Sequence, residues 1–170
     1  IDVLMAYPNG VRKMSKDIAG LVQTSLNLGI LSTIKPDDQS TNGMVSFKSS
    51  VRSSIGSEKD ALLNSLKSLA TLAGGTLTVT GDYPAWEYRE DSPLRDLMVK
   101  IFKQQYGKEP VIQALHAGVE CGIFASKMPG LDCVSFGPDM DDIHTTNESM
   151  NVESVRRTWE YTLEILKELK

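Results

Sequence analysis

The sequence predicts an α/β fold in two parts: a ferredoxin-like βαββαβ unit, then an αβαβα segment. Three observations lead there. Short β-rich runs alternate with amphipathic helical stretches through the first half. Glycine or proline punctuates most of these changes. After Gly81 the order becomes helix, strand, helix, strand, helix, an alternation that argues for parallel pairing within a sheet.

The elements follow in order. Val3 to Tyr7 is a short apolar run read as a strand, and Pro8-Asn9-Gly10 as a turn. Ser15 is placed to cap a helix with Ile18, Leu21, Val22 and Leu26 at three-and-four spacing, closed by Gly29. Ile30 to Ile34 is β-rich, and Asn42-Gly43 is a turn signal. From Met44 to Ser53, Val45, Phe47 and Val51 share one face of a strand and Lys48 and Arg52 the other. Ser57 is placed to cap a helix with Leu62, Leu63, Leu66, Leu69, Ala70 and Ala73 inward, with Asp60 near its N-terminal end and Gly74-Gly75 stopping it. Thr76 to Thr80 completes the unit as a strand. Two helices would cover one face of an antiparallel sheet and leave the other free.

In the second half, residues 82–91 read as a crossover or linker. Ser92-Pro93 starts a helix carrying Leu94, Leu97, Met98, Ile101, Phe102 and Tyr106, and Gly107 ends it. Pro110 to Leu115 reads as a strand, Gly118 to Met128 as a helix, and Leu131 to Phe136 as a strand. Asn151 caps a last helix with Val152, Val155, Trp159, Leu163, Leu166 and Leu169 inward. Two strands make a poor sheet by themselves. This half therefore reads as the closing edge of a larger α/β sheet whose other strands lie upstream of Ile1.

Composition narrows the function. The chain has 170 residues, 41% hydrophobic and 24% charged, which is ordinary for a globular protein. Its net charge of -4, with acids and bases interspersed, argues against nucleic acid as a partner. No apolar run approaches the roughly 20 residues of a membrane span. Cys121 and Cys133, without a CxxC pair, fit a reducing cytosol, with two buried inert thiols as the plainer reading. The chain enters structure directly at Ile1, without a signal peptide, as a piece of a longer protein would.

Only two histidines are present, and both lie in loops after expected parallel strands, where open α/β sheets hold ligands. His144 stands among Asp141, Asp142 and Glu148. That spacing suits a metal ligand oriented by carboxylates, and equally an exposed loop histidine among solvated acids. His116 precedes Ala117-Gly118, where a backbone can approach a ligand closely, with Glu120 in the first turn of the next helix. A capping loop with a satisfied histidine fits that spacing as well. Arg52, on the polar strand face, could clamp a carboxylate through paired N–H groups, or be a solvated surface arginine.

Several runs carry a resemblance. They are His116-Ala-Gly-Val-Glu-Cys-Gly122, Gly130-Leu-Asp, Val134-Ser-Phe-Gly-Pro138, Ile143-His-Thr145 with Asn147-Glu148, and Thr158-Trp159. Upstream, Pro8-Asn-Gly-Val11, Met14-Ser15, Leu21 to Gly29, Ser49 to Ser54, and Tyr83-Pro84 with Trp86 continue it. In order, and over essentially the whole chain, they resemble aminoacylhistidine (Xaa-His) dipeptidases of the co-catalytic zinc aminoacylase and carboxypeptidase superfamily.

The resemblance implies a metallo-dipeptidase with zinc as cofactor. In that family a catalytic domain of zinc-exopeptidase type holds a pair of zinc ions, and a lid domain is inserted in it. Residues 1–83 would belong to the lid and 84–170 to the end of the catalytic domain. His144 matches a metal ligand, and Arg52 the arginine that holds the substrate carboxylate. Gly118 matches a substrate-contacting loop, with His116 and Glu120 beside it. The remaining ligands and the general-base glutamate are expected upstream of Ile1, which leaves this chain inactive alone. A cytoplasmic homodimer joined through the lid is the implied assembly. Two rival readings remain: a stand-alone ferredoxin-like dimerisation or small-ligand module, and a single-zinc hydrolase built from His116, Glu120 and His144.

Overall fold

A computed structural model of the chain describes residues 1–34, 43–114 and 120–169. It is a mixed α/β structure with antiparallel sheets. The chain divides into two compact units. The first is Ile1–Tyr88 with Gln113–Lys127, the second Arg89–Ile112 with Met128–Lys170.

The first unit opens on a short helix, α1 (Asp2–Ala6), where a strand was expected. Five apolar residues are too few for periodicity to separate helix from strand, and Leu4, Met5 and Ala6 are good helix formers. Pro8 ends it by forcing Tyr7 into an extended conformation, at ψ 121°. Three strands follow, β1 (Gly10–Met14), β2 (Val22–Ile34) and β3 (Met44–Ser53), as one antiparallel sheet in that order.

The helix expected from Ser15 to Gly29 is instead a turn leading into β2. The Ser15 hydroxyl does accept backbone N–H bonds, from Asp17 and Ile18, each at 3.2 Å, but they close a turn. Gly20 takes a left-handed backbone, at φ +79°, which breaks any helix there. Beyond it Val22, Thr24, Leu26 and Leu28 repeat every second residue, and this β period wins over the helical spacing. Gly29 ends no helix. It sits at a bulge of β2 between Leu28, paired with Ser49, and Ile30, paired with Lys48.

Helix α2 (Gly56–Leu72) follows β3 and turns Leu66 inward. Its N-cap is Ile55 with no side-chain cap bond, so Ser57 is not the cap. Thr76 to Thr80 forms no strand, and Leu77 and Val79 are exposed. A β-prone run gains a strand only where a neighbour accepts its ladder. Within the α/β class, the βαββαβ order is thus altered at three elements. Helix α4 (Glu120–Lys127) closes the unit in sequence.

The second unit is built on two helices, α3 (Pro93–Tyr106) and α5 (Val152–Glu168). Ser92 caps α3 and Gly107 ends it at φ +67°, both as predicted. Asn151 caps α5 through a 2.8 Å bond from the Ser154 amide. Met98, Ile101, Tyr161 and Ile165 form the core, with Leu94, Leu97, Phe102 and Val134 against it. The Tyr161 hydroxyl donates to the Met98 carbonyl at 2.7 Å, and its ring meets Phe102 and Phe136 edge-on.

The predicted inward stripe of α5 is exposed: Val152 at 81%, Trp159 at 62% and Leu166 at 56%. The helix is apolar on more than one side, and α3 takes the Tyr161–Ile165 side. Residues 110–114 and 131–136, expected as strands, join no ladder among the described residues. The only described ladder of this unit is the small hairpin β4 (Met140–Asp141) and β5 (Ser149–Met150).

Candidate functional site

Arg52 lies near the end of β3, opposite Ser25 of β2. Burial alternates along the strand. Phe47, Ser49 and Val51 are half-buried and Ser53 buried, while Ser46, Lys48, Ser50 and Arg52 are exposed. The predicted polar face is therefore present, with Ser25 and Asn27 of β2 extending it across the rungs to Arg52 and Ser50. Among the described residues the Arg52 guanidinium takes no ion pair or side-chain hydrogen bond.

The opposite face holds that strand end rigid. Thr24, one rung from Arg52, pairs with Ser53, and their hydroxyls lie 2.8 Å apart. Glu58, in the first turn of α2, reaches this rung. It accepts from Thr24 at 2.6 Å, from Gln23 at 2.7 Å, and from Lys13. Burial pushes the Glu58 carboxyl up, but the bonds from Lys13, Thr24 and Gln23 and the Lys13 charge outweigh it and bring it down to about 2. Sequence reading passed over Glu58. Its neighbours Ser57 and Asp60 offered the usual capping signals, and nothing local marks a helix residue whose partners are 34 to 45 positions away.

His144 lies in the second unit, in the loop joining β4 to β5. Its ring is exposed. Both His144, at φ 67°, and Asp142, at φ 50°, hold left-handed backbones, uncommon for residues with a Cβ. The loop secures them internally. The Glu148 carboxylate accepts from the His144 amide at 2.9 Å, and the Asp142 carbonyl accepts from the Thr145 amide at 3.1 Å and its hydroxyl at 2.8 Å. Glu148 is thus committed to the loop backbone. The hairpin is tied to α5: the Ser154 hydroxyl donates to the Asn151 carbonyl at 2.6 Å and accepts from the Asp139 amide at 2.9 Å, and Arg157 pairs with the Asp139 carboxylate at 3.0 Å.

Glu120 is exposed at the start of α4. His116 and Gly118 lie outside the described residues, and with them the single-zinc alternative that needs His116. Among the described residues no three His, Cys, Asp or Glu side chains converge where they could hold a metal ion. No helix among them is long and apolar enough to cross a membrane.

Comparison with known proteins places these residues in context. The model of peptidase family M20/M25/M40 matches residues 8–168. The cytosol non-specific dipeptidase of Escherichia coli (strain K12) is 37% identical over 169 residues, 99% of this chain and 33% of that protein. Among solved structures, aminoacylhistidine dipeptidase from Vibrio alginolyticus superposes with a TM-score of 0.82 at 33% identity, over 98% of this chain and 33% of that one. Aminopeptidase PepT from Bacillus cereus ATCC 10987 gives 0.73 at 20% identity, over 98% and 43%, a likeness of fold alone. The chain thus spans about a third of the length of its curated relative.

Proposed function

This chain belongs to peptidase family M20/M25/M40, and from that premise we propose that it is part of a cytoplasmic zinc dipeptidase hydrolysing Xaa-His dipeptides. The observation that carries the proposal is the 37% identity running through 99% of the chain to a protein named as a dipeptidase. The Xaa-His preference follows the aminoacylhistidine dipeptidase likeness.

Within that reading Arg52 binds the dipeptide's C-terminal carboxylate. On a polar sheet face whose reverse side is hydrogen-bonded, Arg52 loses little freedom on pairing. His144 is one zinc ligand. The described residues do not by themselves make a metal centre. The other ligands and the general base belong to the part of the relatives' length that this chain does not span, and the chain alone is inactive. Glu120, with His116 and Gly118, faces the substrate.

Residues 1–83 are the lid part and 84–170 the end of the catalytic domain. The exposed Val152, Trp159 and Leu166 of α5 support the second assignment, because apolar surface of this kind is covered in a complete domain. The hairpin end of β2 and β3, with Ile30, Leu31, Ile34, Met44 and Val45 about half exposed, supports a homodimer formed through the lid.

The test uses the complete protein. Arg52→Ala should raise KM for alanyl-histidine by at least about tenfold with a smaller loss in kcat. A KM near wild type sinks the role of Arg52. His144→Asn should remove zinc from the protein, read by metal analysis, and an unchanged zinc content refutes the ligand assignment.

A further inference from the structure

The segment Asp82–Glu87 belongs to no helix or strand, yet helices grip it at several points. Lys59 of α2 donates to the Asp82 carboxylate and to the Tyr83 carbonyl, both at 2.6 Å, and its ammonium lies 6.0 Å from the Tyr83 ring centre. The Lys59 side chain is only 15% exposed, although its Asp82 partner is 61% exposed, so the cation is largely enclosed while the carboxylate faces solvent. The Glu87 carboxylate accepts from the Gly56 amide at the start of the same helix, at 3.0 Å.

Helix α4 packs on this segment through Gly122, which is buried. A Cβ at position 122 would stand 2.8 Å from the Pro84 carbonyl oxygen and 3.5 Å from the carbonyl carbon and oxygen of Ala85. All three atoms are backbone and cannot swing aside. Only glycine lets α4 seat this closely. Glu120 is the first residue of that helix, two positions before Gly122.

The same first turn of α2 is also fastened to the sheet. Glu58 binds Thr24 and Gln23, and Thr24 is one rung from Arg52. A continuous set of contacts thus runs from the Arg52 rung through Glu58, α2, Lys59, the Asp82–Glu87 segment and Gly122 to α4.

We propose that the Asp82–Glu87 segment is a strap that fixes α4, and with it Glu120, relative to the strand carrying Arg52, making Lys59 and Gly122 positioning residues for dipeptide binding. The proposal rests on the dipeptidase reading above. Neither residue touches substrate. Each acts by holding the strap, so the consequence of loosening it falls on substrate affinity.

The experiment uses the complete protein, its Lys59→Met and Gly122→Ala variants, and the two combined. Steady-state kinetics with alanyl-histidine, zinc content and hydrogen exchange over residues 120–127 are measured on each. Misplacement on the scale of an ångström predicts KM raised about tenfold, with kcat changed less. Zinc content should stay at the wild-type level, and amides of α4 should exchange faster. Because both variants loosen one strap, their effects should combine less than additively. Lys59→Arg, which can still reach the Tyr83 carbonyl, should restore most of the affinity.

A wild-type KM within about twofold in both variants overturns the strap. So does a loss of thermal stability with unaltered KM, which would mark a purely structural contact. If Gly122→Ala does not fold, Lys59→Met decides alone, since it adds no bulk. A complete protein without dipeptidase activity would refute the proposed function itself, an outcome distinct from active wild type with unaffected variants.

Discussion

The two units are held together by different chemistry. Around the rung next to Arg52, the first unit buries polar residues: Gln23, Thr24, Ser53 and Ser54 are all under a tenth exposed, and among the described residues of the unit only Leu26 and Leu66 are buried apolar side chains. The second unit packs an apolar, aromatic cluster between α3 and α5. A hydrogen-bonded brace is directional and charge-dependent, whereas an apolar cluster depends on volume. The rung beside Arg52 is therefore fixed in orientation and sensitive to pH, whereas the α3–α5 core is fixed by packing, with the His144 hairpin hydrogen-bonded onto α5.

Three predictions sharpen or break this contrast. The largest effect belongs to Tyr161→Ala. It empties a ring enclosed by Phe102 and Phe136 and removes the bond to the Met98 carbonyl. We expect a loss of about 3–5 kcal/mol in denaturant unfolding of the second unit. A loss below about 1 kcal/mol would mean the cluster is not its core.

Next comes Glu58→Gln, with a loss on the order of 2 kcal/mol confined to the first unit. Its sign with pH is fixed by the lowered carboxyl. The Glu58 contribution is complete above its ordinary value of 4.5 and disappears as pH falls towards about 2. Acid titration of stability should therefore show a limb across that window which Glu58→Gln flattens. A limb of unchanged steepness in the variant would show that other carboxylates carry it. Asp132 is one such group in the second unit. Burial raises its carboxyl, but bonds from Ser92 and Leu94 and the charges of Arg89 and Arg95 bring it below the ordinary range.

The smallest effect is Glu153→Gln, which removes an exposed pair with Arg156 on α5. Solvent screens such a pair, so the melting temperature should stay at the wild-type value. A clear change in melting would show α5 depending on its surface charges more than on Tyr161 and Ile165.

Much of this architecture was legible in the sequence where the signal is local. The caps Ser92 and Asn151, the stop at Gly107 and the alternation through β3 need only neighbouring residues to specify them. The stretch from Ser15 to Gly29 misled because apolar residues there satisfy the helical and the extended period together, and the arbiter was Gly20. The inward face of α5 was illegible for another reason. Leu163, Leu166 and Trp159 make as good a stripe as Tyr161 and Ile165, and only the position of α3 selects between them. The exposed place of Arg52 on the polar strand face was legible through strand parity. The Glu58 brace and the Gly122 contact were not, because they join segments 34 or more residues apart.

The left-handed backbone at His144 constrains its natural variation before any chemistry is considered. Asparagine, aspartate or glycine can inherit that conformation at small cost, while valine, isoleucine or threonine would have to rebuild the loop. Drift at this position is thus channelled towards residues that keep the hairpin's shape, and a lineage that lost the imidazole would retain the scaffold on which it could be regained by one substitution.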